Sequence, residues 1–316
     1  MIHSWETWSQ WAQTATVPSK WLHELRDSGE LELYPEIFNM IGVPQDPTWH
    51  PEGDVYIHTC HVLDAASEIA IREEMSVSSR ELLIFSALTH DFGKVKATFL
   101  KNSRWTSPKH GMFSTSCAKK FFQQIECSSL HLYEKLEKLV IEHLSYVNVE
   151  TDKSLLHLAE RLKPASIEEL LWLIEADVSG RPPLPKGLPE QAKKLKIRSL
   201  ELGVYQRGPL PLVTESLLLH HKLLEPSPQM ETIIKQAYAA QLTGSFYEEK
   251  GALVWVRGQV FKPLLNGRLI IDGGILPPGN KIGKLLSAAK LAQHQDSFSD
   301  LQGALAWAKQ WAEENK

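Results

Sequence analysis

From Leu82 to Leu88 the chain is apolar at every position but Ser86, and the run passes directly into Thr89-His90-Asp91-Phe92-Gly93-Lys94. A helix that is apolar all round is stable only when other elements cover it. The stretch, with Ser79 as its cap, therefore calls for a helical bundle around it and sets His90-Asp91 at the end of a rigid, buried rod. That is the placement a metal-binding side chain requires. Asp can bridge two cations while His offers each a nitrogen ligand. Gly93 is expected to break the helix and leave Lys94 free to face an anion. A His-Asp pair alone is common, so its meaning depends on what accompanies it.

Most of the remaining chain repeats the helical period between Pro- and Gly-containing breaks. Trp5, Trp8 and Trp11 open a helical, aromatic-rich arm reaching Phe38, whose ordinary reading is a face packed against the body. Ile41 to Asp54 is loop-like but gathers His50, Glu52 and Asp54 just before a helix from Val55 to Ile71 that carries His58 and His61. His58 follows the acidic loop and is the ligand candidate; His61 is expected to pack or to support it. Val95 to Lys109 is polar and basic. Helices follow from His110 to Ile125, from Leu130 to Tyr146 with His143 near its end, and from Ser166 to Asp177. The last has Ser166 and Glu169 in capping-box positions and ends at Gly180-Arg181. Beyond Lys186, helices are expected at 191–202, 217–224 and 230–242, then a strand over Ala252 to Phe261 and a final helix pair with Trp307 and Trp311. No internal repeat stands out, and the Gly-rich stretch from Leu265 to Leu286 does not fit the phosphate-loop pattern. The expected fold is an all-α helical bundle, divided into an arm (1–45), a central domain (46–185) and a mostly helical tail (186–316).

The net charge of −4 argues against a broad polybasic surface for nucleic acid but leaves room for a local basic groove. Three cysteines, Cys60, Cys117 and Cys127, lack C-x-x-C spacing and suit a reducing compartment. There is neither a signal-peptide pattern nor a run of transmembrane length, so a cytoplasmic location with no membrane partner is expected.

In order, His58, His90-Asp91, His110, His143 and Asp177 stand on five separate helices or helix ends. Such a set suits two divalent cations, with Asp91 bridging them and imidazoles and a second carboxylate at the sides. Two cations clamp the oxygens of a phosphoryl group and activate water; Lys94 and Arg181 would neutralise charge building on the non-bridging oxygens.

This order resembles the HD superfamily of metal-dependent phosphohydrolases. More closely, the chain is similar to the carboxyl-terminal part of bacterial CCA-adding enzymes and poly(A) polymerase-like tRNA nucleotidyltransferases. The resemblance rests on Gly42-Val-Pro-Gln45, Trp49-His50-Pro51-Glu52-Gly53-Asp54 and His58, Ala87 to Lys94, His110-Gly111, His143, Glu175-Ala176-Asp177 and Gly180-Arg181. In the tail it rests on Asn266 to Ile270 and on Pro278-Gly279 to Ile282-Gly283. The nucleotidyltransferase head of those enzymes, with its Gly-Ser pair and D-x-D carboxylates, has no counterpart here, so nucleotide addition is not expected. What the resemblance implies is hydrolysis of nucleotide phosphomonoesters, 2′-phosphates or 2′,3′-cyclic phosphates, on nucleotides or RNA ends. The cofactors would be divalent cations, two of them, Mg²⁺, Mn²⁺, Ni²⁺ or Co²⁺. His58, His90, Asp91 and Asp177 would hold one metal, completed for the second by His110 and His143. Lys94 and Arg181 would position phosphate, and Glu52 or Asp54 would orient a ligand His or protonate the leaving oxygen. The competing readings are a non-catalytic RNA- or tRNA-binding protein derived from a CCA-adding enzyme, and a nucleotide phosphohydrolase with no RNA role.

Overall fold

A computed structural model describes residues 2–260, 263–295 and 297–315. Its helices in chain order are α1 (Trp5–Thr14), α2 (Pro18–Asp27), α3 (Pro35–Phe38), α4 (Val55–Arg72), α5 (Val77–Thr89), α6 (Lys94–Ala97), α7 (His110–Gln124), α8 (Leu130–Glu142), α9 (Asp152–Leu162), α10 (Ile167–Ser179), α11 (Glu190–Glu201), α12 (Glu215–His220), α13 (Pro228–Leu242), α14 (Glu249–Val260), α15 (Gly267–Asp272), α16 (Asn280–His294) and α17 (Leu301–Glu314). Strands β1 (Phe99–Lys101) and β2 (Arg104–Thr106) form one small antiparallel ribbon between α6 and α7. The protein is an all-α helical bundle, with residues 1–210 and 211–316 as two compact units.

In the first unit α5 is the central rod, packed against α1, α4, α7, α8 and α10. Its cap is Ser76, whose side chain accepts from the Ser79 amide, so the helix starts one turn earlier than Ser79 suggests. Ser76, Ser78 and Ser79 are all plausible caps by residue type, and burial of Arg80 fixes the choice. Arg80 reaches the carbonyls of Ala12 and Ala15 and the hydroxyl of Ser67, satisfying the open carbonyl end of α1. The aromatic arm packs as its periodicity implies. Trp5 stacks on Phe85 at 5.4 Å, and fully buried Trp8 meets Trp21, Tyr34 and Phe121 edge-on. Trp8→Ala should therefore cost about 3–5 kcal/mol, as truncation of large buried aromatics does; a urea melt that moved by less than about 1 kcal/mol would remove the arm from the core.

Two expectations for this unit change. His61 is exposed on α4 and neither packs nor supports His58, because the three-residue step turns it away from the buried face. Gly93 has right-handed helical dihedrals (φ −71°, ψ −18°), so it does not end α5 through backbone freedom. It is needed for space: a Cβ there would lie 2.1 Å from the His110 carbonyl oxygen and 2.5 Å from the Ser114 amide.

The second unit overturns two further expectations. Residues 252–260 belong to α14 and are not a strand; Phe261 lies outside the described residues. A strand would bury alternate positions, whereas Ala252 and Val256 are buried four apart and Val254 between them is 66% exposed. The β-branched valines supplied a misleading propensity, and tertiary burial decided otherwise.

The tail also contains an internal repeat. Helices α12, α13 and α14 start at Glu215, Pro228 and Glu249, and α15, α16 and α17 start at one constant offset from them, at Gly267, Asn280 and Leu301. Each half has its own core: Val213, Leu218, Ala237, Phe246 and Ala252 in one, and Leu265, Ile270, Ala289, Phe298 and Ala304 at the matching places in the other. The Leu212 amide donates to Gln241 and the Leu264 amide to Gln293, both at 3.0 Å. Phe246–Trp255 and Phe298–Trp307 are matching ring pairs, at 5.9 and 5.6 Å. The repeat is hard to see in sequence because it preserves the buried positions and lets the polar surface diverge.

Candidate metal centre

Four helix ends and one helix interior deliver the cluster. His58 lies in the first turns of α4, His90-Asp91 at the end of α5, His110 at the start of α7, His143 at the end of α8 and Asp177 in the last turn of α10. All six side chains are buried. Contact glycines let these helices approach. Gly93 sits against α7, and a Cβ on Gly180 would fall 2.5 Å from Val62 Cγ2 and 2.8 Å from its amide on α4. Ser114 completes the first contact, accepting from the Gly93 amide at 2.8 Å and donating to the His90 carbonyl at 2.7 Å.

Asp91 is central. Its Oδ2 lies 3.2 Å from His90 Nε2, 3.7 Å from His58 Nε2 and 2.7 Å from Lys94 Nζ, and its Oδ1 lies 3.1 Å from His110 Nε2. His110 and His143 face each other through Nε2 at 3.2 Å. His58, His90 and Asp91 form one group whose donor atoms all lie within 4.8 Å of one another; Asp91, His110 and His143 form a second. Asp177 joins through His58, at 3.1 Å, and is held by Arg181 at 2.6 Å.

The outer nitrogens set the tautomers. Nδ1 of His90, His110 and His143 lies 2.8, 2.8 and 2.7 Å from the carbonyls of Ala87, Ser107 and Val140, each three residues earlier. A carbonyl can only accept, so each Nδ1 carries a proton, and in the neutral ring each Nε2 then presents a lone pair inward. His58 directs Nδ1 at Glu52, whose Oε1 is 2.8 Å away, and burial lowers its pKa but Asp177 and Glu52 together raise it. Outer carbonyls and carboxylates of this kind orient metal-bound imidazoles. His90 Nε2 and both Asp91 oxygens are buried without a well-directed hydrogen bond among the described residues. Such orphaned acceptors are costly unless a cation meets them, so the donor set fits divalent metal.

The charges agree. Burial opposes ionisation of Asp91, but His90, Lys94 and His110 outweigh it and hold its carboxyl well below the usual range. Asp177 is likewise depressed: burial opposes, and Arg181 and His58 prevail. His143 is pushed down to about 3 by burial and by neighbouring His110 and His90, which keeps it neutral and available as a ligand.

The remaining candidates divide. Lys94 is buried, between Asp91 and Gln45 Oε1 at 2.7 Å, so it holds the carboxylate and does not point freely outward. Arg181 donates to Asp177, and its buried Nε has no hydrogen-bond partner among the described residues. Glu52 bridges His58 and His50, the latter at 2.9 Å, and these bonds depress it to about 2 against the opposing effect of burial. Asp54 stands apart: its oxygens accept from the amides of Ile57 and Gly42, capping α4. Sequence reasoning did not assign His50 and Gln45 to the site. The crowding of His50 with two acids was the one available signal; nothing local marks Gln45 as the partner of Lys94.

Residues 55–177 match the HD domain family. The chain is 30% identical over 202 residues to the multifunctional CCA protein of Burkholderia cenocepacia, covering 60% of this chain and 46% of that protein. It is 42% identical over 90 residues to the multifunctional CCA protein of Methylococcus capsulatus, covering 28% and 19%. The chain thus spans less than half the length of these curated relatives. Among the described residues no helix is long and apolar enough to cross a membrane. With imidazoles gathered around a shared carboxylate, residues 55–177 match the HD domain family, whose members are generally metal-dependent phosphohydrolases, and the chain is similar to the C-terminal part of multifunctional CCA proteins.

Proposed function

We propose that the cluster is the active site of a phosphatase or 2′,3′-cyclic phosphodiesterase that acts on nucleotides or RNA ends. The observation that carries this reading is the sharing of Asp91 between two buried groups of ligand atoms, with Lys94 and Arg181 beside them. His58, His90, Asp91 and Asp177 would hold one divalent cation, and Asp91, His110 and His143 a second. Bound there, the cations would supply Lewis-acid charge and make water nucleophilic at neutral pH. Arg181, its guanidinium kept charged by Asp177 despite burial, would meet the non-bridging phosphate oxygens. Lys94 keeps Asp91 ionised and in place. Glu52, depressed to about 2, is a carboxylate at neutral pH and cannot donate a proton to the leaving oxygen; it orients His58. Asp54, bound to amides, shapes the start of α4. In this reading residues 46–185 carry the chemistry, flanked by the arm and the tail.

Stripping metal and restoring Mg²⁺, Mn²⁺, Ni²⁺ or Co²⁺ singly tests the proposal in two ways. A bound cation should raise the melting temperature, by the equivalent of about 2.7 kcal/mol at a hundredfold excess over Kd. At least one loaded form should hydrolyse 2′-AMP, 2′,3′-cyclic AMP or RNA ending in either group. If no cation supports hydrolysis of any of these, the enzymatic reading fails.

A further inference from the structure

The ribbon between Lys94 and His110 is the largest feature beside the site that the chemistry above leaves unused. Asn102 and Ser103 both take positive φ (49° and 61°), as a two-residue type I′ hairpin requires. Phe99 pairs with Thr106, Leu100 with Trp105 and Lys101 with Arg104. Alternation along the strands places Phe99, Lys101, Arg104 and Thr106 on one face, and Leu100 and Trp105 on the other.

Its base is fixed to the cluster. Thr98 Oγ1 and Ser107 Oγ meet at 2.8 Å, and the Ser107 carbonyl accepts from Nδ1 of His110. Phe99 is therefore on the rung next to a ligand histidine, and the ribbon extends about 10 Å from there at ~3.3 Å per residue. The loop that carries Trp49 borders the same cluster: the ring of the next residue, His50, lies 4.6 Å from that of His58, and its Nδ1 is 2.9 Å from Glu52. Trp49 in that loop is 61% exposed and Phe99 is 48% exposed. An isolated two-stranded ribbon gains little by displaying rings to water.

Charge narrows the occupant. Lys96, Lys101, Arg104 and Lys109 are all exposed, and no acid occurs between Lys94 and His110 in a chain of net charge −4. Exposed rings beside clustered cations suit a flat, π-rich partner attached to phosphate. We propose that Trp49 and Phe99 form a stacking rim for the nucleobase next to the scissile phosphate, with Lys101 and Arg104 meeting the following backbone phosphate. The proposal rests on the reading of the cluster as a phosphate-ester site and adds what that site selects.

Calorimetric titration of the protein loaded with a cation that does not support turnover, with 2′-AMP, with ribose 2-phosphate, which lacks a base, and with a hexaribonucleotide ending in a 2′-phosphate tests it. Trp49→Ala/Phe99→Ala should weaken 2′-AMP about tenfold or more, within the range of a lost base–aromatic stack, and leave ribose 2-phosphate unchanged. Trp105→Ala, on the opposite face, should alter neither. Lys101→Glu/Arg104→Glu should weaken the hexamer and flatten its salt dependence; a hexamer that binds no tighter than 2′-AMP identifies a free nucleotide as the occupant in place of an RNA end. Equal affinity of the wild type for 2′-AMP and ribose 2-phosphate, or equal loss of both in the double variant, overturns the rim. Hydrolysis without base preference would leave the phosphohydrolase standing and the rim refuted. Base preference in binding without hydrolysis under any cation would do the reverse.

Discussion

Asp91→Asn is expected to abolish both metal loading and hydrolysis, with kcat/KM falling by at least about 10²–10³-fold, the scale of losing one electrostatic element of an active site. Asn is nearly isosteric, so the side chain still fits between His58, His90 and His110. What disappears is the charge that faces both ligand groups and Lys94. Lys94 is then left buried against Gln45 without the Asp91 charge, and an uncompensated buried charge typically costs about 3–5 kcal/mol. The variant should therefore melt earlier than wild type and no longer gain stability from added cation. Elemental analysis after gel filtration, with the hydrolysis assay, checks both halves. Retention of wild-type metal content and rate would show that the shared carboxylate is not the centre of the site.

The second large effect comes from a side chain too small to bind anything. Gly93→Ala places a methyl 2.1 Å from the His110 carbonyl and 2.5 Å from the Ser114 amide, both backbone atoms that cannot rotate away. Overpacking costs about 1–3 kcal/mol even where side chains can adjust, so a loss of at least 3 kcal/mol is expected, or about 6–12 °C in a unit of this size. Relief requires α7 to move from α5, carrying His110 away from Asp91, so metal affinity should fall with stability. Gly258→Ala is the contrast. It lies inside α14 with nothing within 4 Å of the added carbon, and should be neutral or stabilising by about 0.5–1 kcal/mol. Comparable melting of the two variants would refute the close-contact explanation.

These two residues also show what could be read from sequence. His90-Asp91 was legible because the apolar run from Leu82 to Leu88 passes directly into it, and His58, His110, His143 and Asp177 recur on other helices or at their ends. Gly93 was legible as a position but not for its purpose, since a close approach between α5 and α7 is tertiary information. The same holds for Gln45 and His50, which gain meaning from Lys94 and Glu52 across the chain. Asp54 read as a site acid because of its neighbours, although an acid immediately before a helix is an ordinary cap. The valines of 252–260 suggested a strand, where a four-residue burial step was the deciding quantity.

The doubled tail bears on how the chain reaches its native state. Each half closes a core from residues near one another in sequence, Val213 to Val256 in one and Leu265 to Ala312 in the other, so neither needs the opposite end of the protein to begin. Local closure is entropically inexpensive and fast. The first unit is different: His58 must find Asp177, and Arg80 must find the end of α1, across long stretches of chain. Two quick nuclei and one slow assembly on a single polypeptide predict refolding in separate phases, with the tail ordered before the metal ligands converge.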